Sequence, residues 1–340
     1  MERKPLGVAV VGAGYWGPNL VRNFHASEDW VVRHLIEPDQ SRRERLLRLY
    51  PTIEGHAAIE PALADPAVDA IALATPPNTH YPLAVQSIDA GKHVLVEKPL
   101  AERYRDADDL CARARRAGVA LVTDHTFLYT GSVEKLRALR ETGALGNIYY
   151  IDSVRVNLGL FQQSNVVWDL APHDVSIINY ILDEMPRWVA LQLAARVHAK
   201  IPDVAFLTMW YGGGCLAHVH LSWLSPVKLR RTMIAGSLKM AVWDDVEPTE
   251  KVYIYDKGVV LDPSSTTLQQ QMISYRLGDL HVPLVDNREA LGKLVAEFAG
   301  AVRNGTPTRS DGAFGAGVVR VIEAALRSAE LDGAKVAVAE

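Results

Sequence analysis

Short, mostly apolar runs punctuate the first third of the chain, at residues 8–11, 31–36, 68–74, 93–96 and 119–122. Runs of this length with few polar interruptions suit strands buried in a sheet. Between them, 19–25, 41–49, 82–90 and 106–117 carry apolar residues at helical spacing, and Gly118 closes the last as a C-cap. Strands separated by helices require a parallel sheet with right-handed crossovers. The pattern therefore predicts an α/β Rossmann domain, a doubly wound parallel sheet, over residues 1–125.

Beyond residue 125 the rhythm changes. After a helix expected at 132–142, strands are expected at 148–158, 189–197, 205–211, 215–223, 229–235, 239–243 and 251–255, several joined by short turns such as Gly212-Gly213-Gly214 and Gly236-Ser237. The alternation Ala217-His218-Val219-His220-Leu221 marks a sheet with one buried face. This half is predicted to be an α+β domain over 126–340 with an open, mostly antiparallel sheet, serving substrate binding and oligomerisation. Helices expected at 175–182, 288–304 and 314–331 cover part of such a sheet, and a homodimer or homotetramer is expected to cover more. The tract 259–286 has no legible period.

Composition narrows the classes. A chain of 340 residues exceeds the size at which one core keeps growing, in line with two domains. The net charge of −4 argues against a nucleic-acid partner, which calls for a positive field. No run approaches the ~18 apolar residues of a membrane span, and no apolar export segment precedes the first strand, so a cytoplasmic enzyme is expected. Cys111 and Cys215 are too few for a disulfide framework or zinc cluster.

Four segments carry chemistry. Gly12-Ala13-Gly14-Tyr15-Trp16-Gly17 follows the first strand: Gly12 for the sharp turn, Gly14 for close approach of a pyrophosphate, Gly17 for tight helix packing, with the helix N-terminus near Tyr15 and Trp16 facing the phosphates. Glu37 ends the second strand at about the 20-residue distance expected of a carboxylate that binds the adenosine ribose. A carboxylate there repels a 2′-phosphate and favours NAD; Ser41, Arg42 and Arg43 keep NADP open. Next, Thr75-Pro76-Pro77-Asn78-Thr79-His80 leaves the carboxyl end of a strand, where open α/β sheets bind ligands, although it also reads as a plain strand–helix connection. Third, Glu97-Lys98-Pro99 places a cation at a buried strand end. Lys98 can donate to a substrate hydroxyl and lower its pKa, and Pro99 sets the backbone direction, through either a cis or a trans bond; a solvated lysine is the plain alternative. Last, Trp168-Asp169-Leu170-Ala171-Pro172-His173-Asp174 spaces Asp169 and His173 for one helical face. Histidine there can take a hydroxyl proton, and a carboxylate beside it orients the ring or holds a second hydroxyl. Pro172 and Asp174 also read as a helix start and cap.

Together, in this order, these segments resemble the glucose-fructose oxidoreductase, inositol dehydrogenase and MocA-like (Gfo/Idh/MocA) family. The resemblance implies NAD(P)-dependent oxidation or reduction at a sugar or cyclitol carbon. Lys98 would polarise the reacting oxygen, His173 would be the acid/base, and Asp169 would position substrate or histidine. It also implies cofactor contacts from Gly12, Gly14, Tyr15, Trp16, Gly17, Glu37, Thr75, Pro76, Asn78, His80, Glu97 and Lys98, and substrate contacts from Lys98, His125, Asn165, Trp168, Asp169 and His173. Where many members are glycine-rich, this chain has Gln162-Gln163-Ser164-Asn165, a loop that resembles members acting on nucleotide sugars or large amino sugars, often at C3. The alternatives are an inositol or free-aldose dehydrogenase and, outside the enzymes, a dinucleotide-binding scaffold or sensor.

Other residues carry weaker expectations. His125 reads either as a nicotinamide neighbour or as a buried structural histidine. His218 and His220 share a strand face, but no clustered carboxylate or cysteine completes a ligand set and no metal is expected. Arg155, Arg230 and Arg231 suit a diphosphate or an interface, and Trp168 and Trp223 either flank substrate or pack in the core.

Overall fold

A computed structural model describes residues 4–159, 165–261 and 273–338. In chain order these form β1 (Leu6–Val11), α1 (Gly17–Ala26), β2 (Trp30–Ile36), α2 (Gln40–Leu47), β3 (Glu54–His56), α3 (Glu60–Ala64), β4 (Ala70–Leu73), α4 (Pro77–Asp89), β5 (His93–Glu97), α5 (Tyr104–Ala117) and β6 (Leu121–Asp124). Then come α6 (Gly131–Glu141), β7 (Ile148–Leu158), α7 (Val166–Leu182), β8 (Trp188–Ala194), β9 (Val204–Trp210), β10 (Leu216–Ser222), β11 (Leu224–Gly236), β12 (Met240–Asp244) and β13 (Val252–Tyr255). The chain ends with β14 (Gly258–Leu261), β15 (Ile273–Arg276), β16 (Leu280–His281), α8 (Ala290–Asn304), α9 (Gly312–Glu330) and β17 (Val336–Ala337).

The chain packs as two units, one through Tyr129 together with Arg288–Arg320, the other Thr130–Asn287 together with the chain from Val321. In the first, a parallel sheet runs β3-β2-β1-β4-β5-β6. Its central strands are apolar because helices cover both faces: Val8, Val10, Ile71, Leu73, Leu95 and Val96 are fully buried. The apolar run 8–11 and its fellows thus become strands as expected, while β3 leaves no apolar signature in Glu54-Gly55-His56. Helix α4 starts at Pro77 rather than 82, with Pro82 inside it, so Pro76-Pro77 and not Pro82 mark the helix start.

The expected second domain of 126–340 included 288–320, whereas this segment packs with the first unit. Helix α8 packs on the first because Trp30 stacks on Phe298 at 5.2 Å, meets Phe24 edge-on, and donates its indole N–H to Val295 O at 3.1 Å. Arg22 adds a bidentate pair with Glu289 at 2.6 and 2.7 Å.

In the second unit, nine strands among the described residues form one sheet in the order β16-β13-β12-β11-β7-β10-β9-β8-β17. Pairing is antiparallel wherever it is recorded except between β7 and β10, where Leu216 opposes Tyr150 in parallel register. Ala217, Val219 and Leu221 are fully buried on the face that α7 covers, and the polar partners of the alternation point the other way. The illegible tract 259–286 contributes β14, β15 and β16, whereas the loop of Gln162, Gln163 and Ser164 lies outside the described residues. Among the described residues no helix is long and apolar enough to cross a membrane.

Candidate active site

The turn after β1 has a shape only glycine permits. Gly12 sits at φ +100°, where a side chain would also drive a Cβ to 2.4 Å from Ala74 O. A Cβ at Gly17 would fall 2.0 Å from Gly12 O, so the helix closes directly on the turn. At Gly14, by contrast, a Cβ would meet nothing within 4 Å: the space in front of this backbone is open. Helix α1 begins at Gly17 with Trp16 as N-cap and no side chain accepting from its first N–H groups. An open backbone cradle beside an uncapped helix N-terminus fits a pyrophosphate. Tyr15 is exposed beside it.

Glu37 is buried at the end of β2 and its carboxylate takes the Ala13 N–H at 2.7 Å and the Asp39 N–H at 3.0 Å. The carboxylate thereby fixes the glycine turn and retains lone pairs for ribose hydroxyls. The residues that kept NADP open are engaged locally. Ser41 donates to Asp39 Oδ1 at 2.7 Å, Arg42 pairs with the same carboxylate at 3.9 Å, and Arg43 donates to Glu37 O.

At the ends of β4 and β5, His80 is fully buried with Nδ1 2.7 Å from Pro99 O and Nε2 2.8 Å from Thr75 O. It was expected to touch cofactor; its ring lies between the Thr75 turn and the Lys98-Pro99 turn, which carries a cis peptide, each nitrogen facing one carbonyl. Burial pushes its pKa down, with the Lys98 charge adding to that direction. Pro76 and Asn78 are exposed, Thr75 half-buried with its hydroxyl 2.7 Å from that of Thr79. Glu97 accepts the Lys98 N–H at 2.8 Å, and Lys98 itself is half-buried.

Asp124, which the sequence reading passed over, lies opposite Glu97 in the β5–β6 register and is buried. It accepts the Trp16 indole N–H at 2.8 Å and the Thr126 hydroxyl at 2.5 Å. Burial raises its carboxyl pKa against the lowering pull of those bonds and of Lys98. Its signal, an acid closing an apolar strand, is the same one that singled out Lys98. His125 follows, enclosed edge-on against Phe314, with no hydrogen-bond partner for either ring nitrogen among the described residues. Burial and the Lys98 charge push its pKa down to about 3, so the ring is neutral. Of its two readings, the buried histidine describes this environment, and direct substrate contact does not.

In the second unit α7 starts at Val166, well before the expected 175. Asn165 caps it, its Oδ1 accepting from the Val167 and Trp168 N–H groups at 3.1 Å each, so this expected substrate contact is committed to the helix. Pro172 is interior rather than a start signal and removes one helical N–H. The helical turn puts Asp169 and His173, both half-buried, at i and i+4 on one face. Trp223 donates its indole N–H to Asp169 Oδ2 at 3.0 Å, and Trp168 is half-buried beside them in sequence. Asp174 is not a cap: it is buried and paired with Arg155, Nε to Oδ2 2.6 Å, and with Ser153 at 2.8 Å. Arg155, weighed as a diphosphate contact, is thereby withdrawn into the protein. Arg230 pairs with Asp245 at 3.4 Å, and His218 with Asp152 at 3.2 Å.

Residues 6–125 match the model of an oxidoreductase family with an NAD-binding Rossmann fold, and 133–242 that of the GFO/IDH/MocA C-terminal domain. The chain belongs to the GFO/IDH/MocA oxidoreductase family. UDP-N-acetylglucosamine 3-dehydrogenase of Acidithiobacillus ferrooxidans is 25% identical over 324 residues, 94% of each chain. Myo-inositol 2-dehydrogenase of Thermotoga maritima is 24% identical over 269 residues, 74% of this chain and 79% of that one. GenD2 from gentamicin A biosynthesis, solved in complex with NAD, shares the fold at a TM-score of 0.83 and 24% identity, covering 98% of this chain and 97% of that one. Three further relatives are spanned over 60%, 41% and 49% of their own lengths. The protein is an oxidoreductase with an NAD-binding Rossmann domain over residues 6–125.

Proposed function

We propose that the protein transfers hydride between NAD and a ring secondary alcohol, at C3, of a nucleotide sugar or amino sugar. The observation that carries this reading is the Asp169/His173 pair, one turn apart on α7 and braced by Trp223. The match to a UDP-N-acetylglucosamine 3-dehydrogenase over nearly the whole of both chains supports the substrate class.

Bound NAD supplies a hydride acceptor at its nicotinamide. Oxidising a secondary alcohol also releases the hydroxyl proton, and His173 takes it as the C–H bond yields its electron pair; in reduction the imidazole returns it. The Lys98 ammonium donates to the reacting oxygen and stabilises the charge that builds there. Asp169 orients substrate hydroxyl or ring. The setting we assign is a reducing cytoplasm, where the thiols Cys111 and Cys215 stay free.

Nicotinamide absorbance, followed with NAD and NADP across UDP-N-acetylhexosamines, aminoglycosides, inositols and free hexoses, tests the reading. Turnover is expected with the first two groups and with NAD over NADP, since the Glu37 carboxylate repels a 2′-phosphate. Turnover confined to inositols or hexoses would replace the substrate assignment, and preference for NADP would remove the role given to Glu37.

We also propose that the sheet face opposite α7 is the interface of a homo-oligomer. Trp188, Phe206, Leu216 and Tyr150 lie on that face, each 38–43% exposed. Four large apolar side chains in neighbouring register on a sheet are the pattern of an unpaired interface core. Phe206→Glu is expected to convert a dimer or tetramer to monomer by light scattering; a wild type that is already monomeric at micromolar concentration would remove the proposal.

A further inference from the structure

At the far edge of the first unit's sheet, away from the glycine turn in sequence, three metal-ligating side chains converge. The parallel register sets His34 of β2 against Glu54 of β3, and Ile36 against His56, so His34, Glu54 and His56 emerge on one sheet face. His34 Nδ1 and His56 Nε2 are 3.1 Å apart; Glu54 Oε2 lies 3.7 Å from the first and 3.8 Å from the second. These are separations between donors that share an ion: a point inside that triangle is about 2.1 Å from all three atoms, the length of a zinc–nitrogen or zinc–oxygen bond. It is the one such group of histidine, cysteine or carboxylate donors among the described residues.

The surroundings are those of a ligand set. His34 is buried, and its other nitrogen, Nε2, meets Asp65 Oδ2 at 2.9 Å. A carboxylate that accepts the Nε2–H hydrogen bond leaves the lone pair on Nδ1, which faces the other two donors. Asp65 is in turn fixed by the Ala67 N–H on its second oxygen, at 2.8 Å. Glu54 is largely exposed and His56 partly so, which gives an ion a path from solvent and leaves a fourth position for water. Without metal, the same atoms form a His56-to-His34-to-Asp65 hydrogen-bond relay. On binding, His56 shifts its proton to Nδ1 and Glu54 closes the third position.

We propose that His34, Glu54 and His56 form a divalent transition-metal site, of zinc chemistry, with Asp65 orienting His34. Two imidazoles and a carboxylate are the donors such an ion prefers, and the charge of Glu54 together with that of Asp65 balances it. The site pins β3, an edge strand of three residues, to β2. It also adjoins the cofactor acid, since the Glu37 N–H donates to His56 O at 2.9 Å.

The full-length protein, free of any histidine tag and stripped of metal, is titrated with Zn²⁺ by calorimetry and with Co²⁺ by visible absorption. One equivalent is expected, with Co²⁺ bands of a low-coordinate site and a raised melting temperature. His56→Ala and Glu54→Gln change side chains that reach solvent, and each is expected to weaken binding by about tenfold or more; Asp65→Asn acts through His34 and is expected to weaken it about 10- to 100-fold. No stoichiometric uptake by the wild type overturns the site and leaves the hydrogen-bond relay. Uptake undiminished in a His56→Ala variant with native circular dichroism overturns it equally, because the ion then binds elsewhere.

Discussion

His173→Ala is expected to lower kcat by about 10²- to 10⁴-fold, the usual contribution of a positioned acid/base. NAD affinity should not change, because His173 belongs to the second unit and every group of the NAD cradle described above belongs to the first. The loss should appear in kcat rather than in KM, and its pH profile should lose the limb that reports the histidine. Lys98→Met, which keeps most of the length of the side chain and removes its charge, should produce a comparable loss by withdrawing the donor to the reacting oxygen. Asp169→Asn should do less, since the amide still accepts from Trp223 through its oxygen. Single-turnover absorbance with equilibrium NAD titration on the same samples separates the two quantities. Near wild-type turnover in either variant would remove that residue from the reaction.

How far the sequence foretold this arrangement depends on the kind of signal. The buried strands β1, β4, β5 and β6 declared themselves because a parallel sheet covered on both sides admits little but apolar residues. The glycine turn was legible for the same kind of reason: the positive φ of Gly12 and the absent Cβ at Gly17 are steric demands that few sequences meet by accident. The short edge strand β3 was not legible, since three polar residues at a sheet edge need no hydrophobic pattern. Interactions between segments distant in the chain were harder still. Nothing local tells Arg155 that its partner is Asp174, or Trp16 that it will reach Asp124 across the carboxyl ends of the strands. His34, Glu54 and His56 became a cluster only when the β2–β3 register aligned them.

Helix α7 shows how a single local rule can mislead. A proline ahead of an apolar run reads as the first turn of a helix, and Pro172 offers that reading as an alternative. Asn165 supplies a stronger start, with two N–H groups satisfied by one side chain, and the helix then passes through the proline with one missing donor. The functional reading benefits from the difference. With the helix already formed at residue 169, the spacing of Asp169 and His173 becomes a fixed geometry on a rigid element instead of a loop conformation.

Asp174→Ala is expected to reduce the unfolding free energy by about 3–5 kcal/mol, the usual cost of removing one partner of a buried ion pair. Arg155 and Asp174 are 5% and 2% exposed, so water cannot replace the lost carboxylate. The same carboxylate accepts from Ser153, whose hydroxyl lies 3.0 Å from that of Thr232; one deletion therefore loosens the tie of α7 to β7 and β11 together. Urea denaturation followed by circular dichroism measures the loss. Because Asp174 adjoins His173, the variant should also lose turnover at temperatures where it remains folded. The double variant Arg155→Met with Asp174→Leu distinguishes packing from charge: removing both ions leaves no stranded charge, and most of the stability should return. Turnover should return with it only if the ion pair serves the reaction by holding α7 in place. A single variant that costs less than about 1 kcal/mol would place the pair in the class of solvent-screened surface bridges and undo the argument.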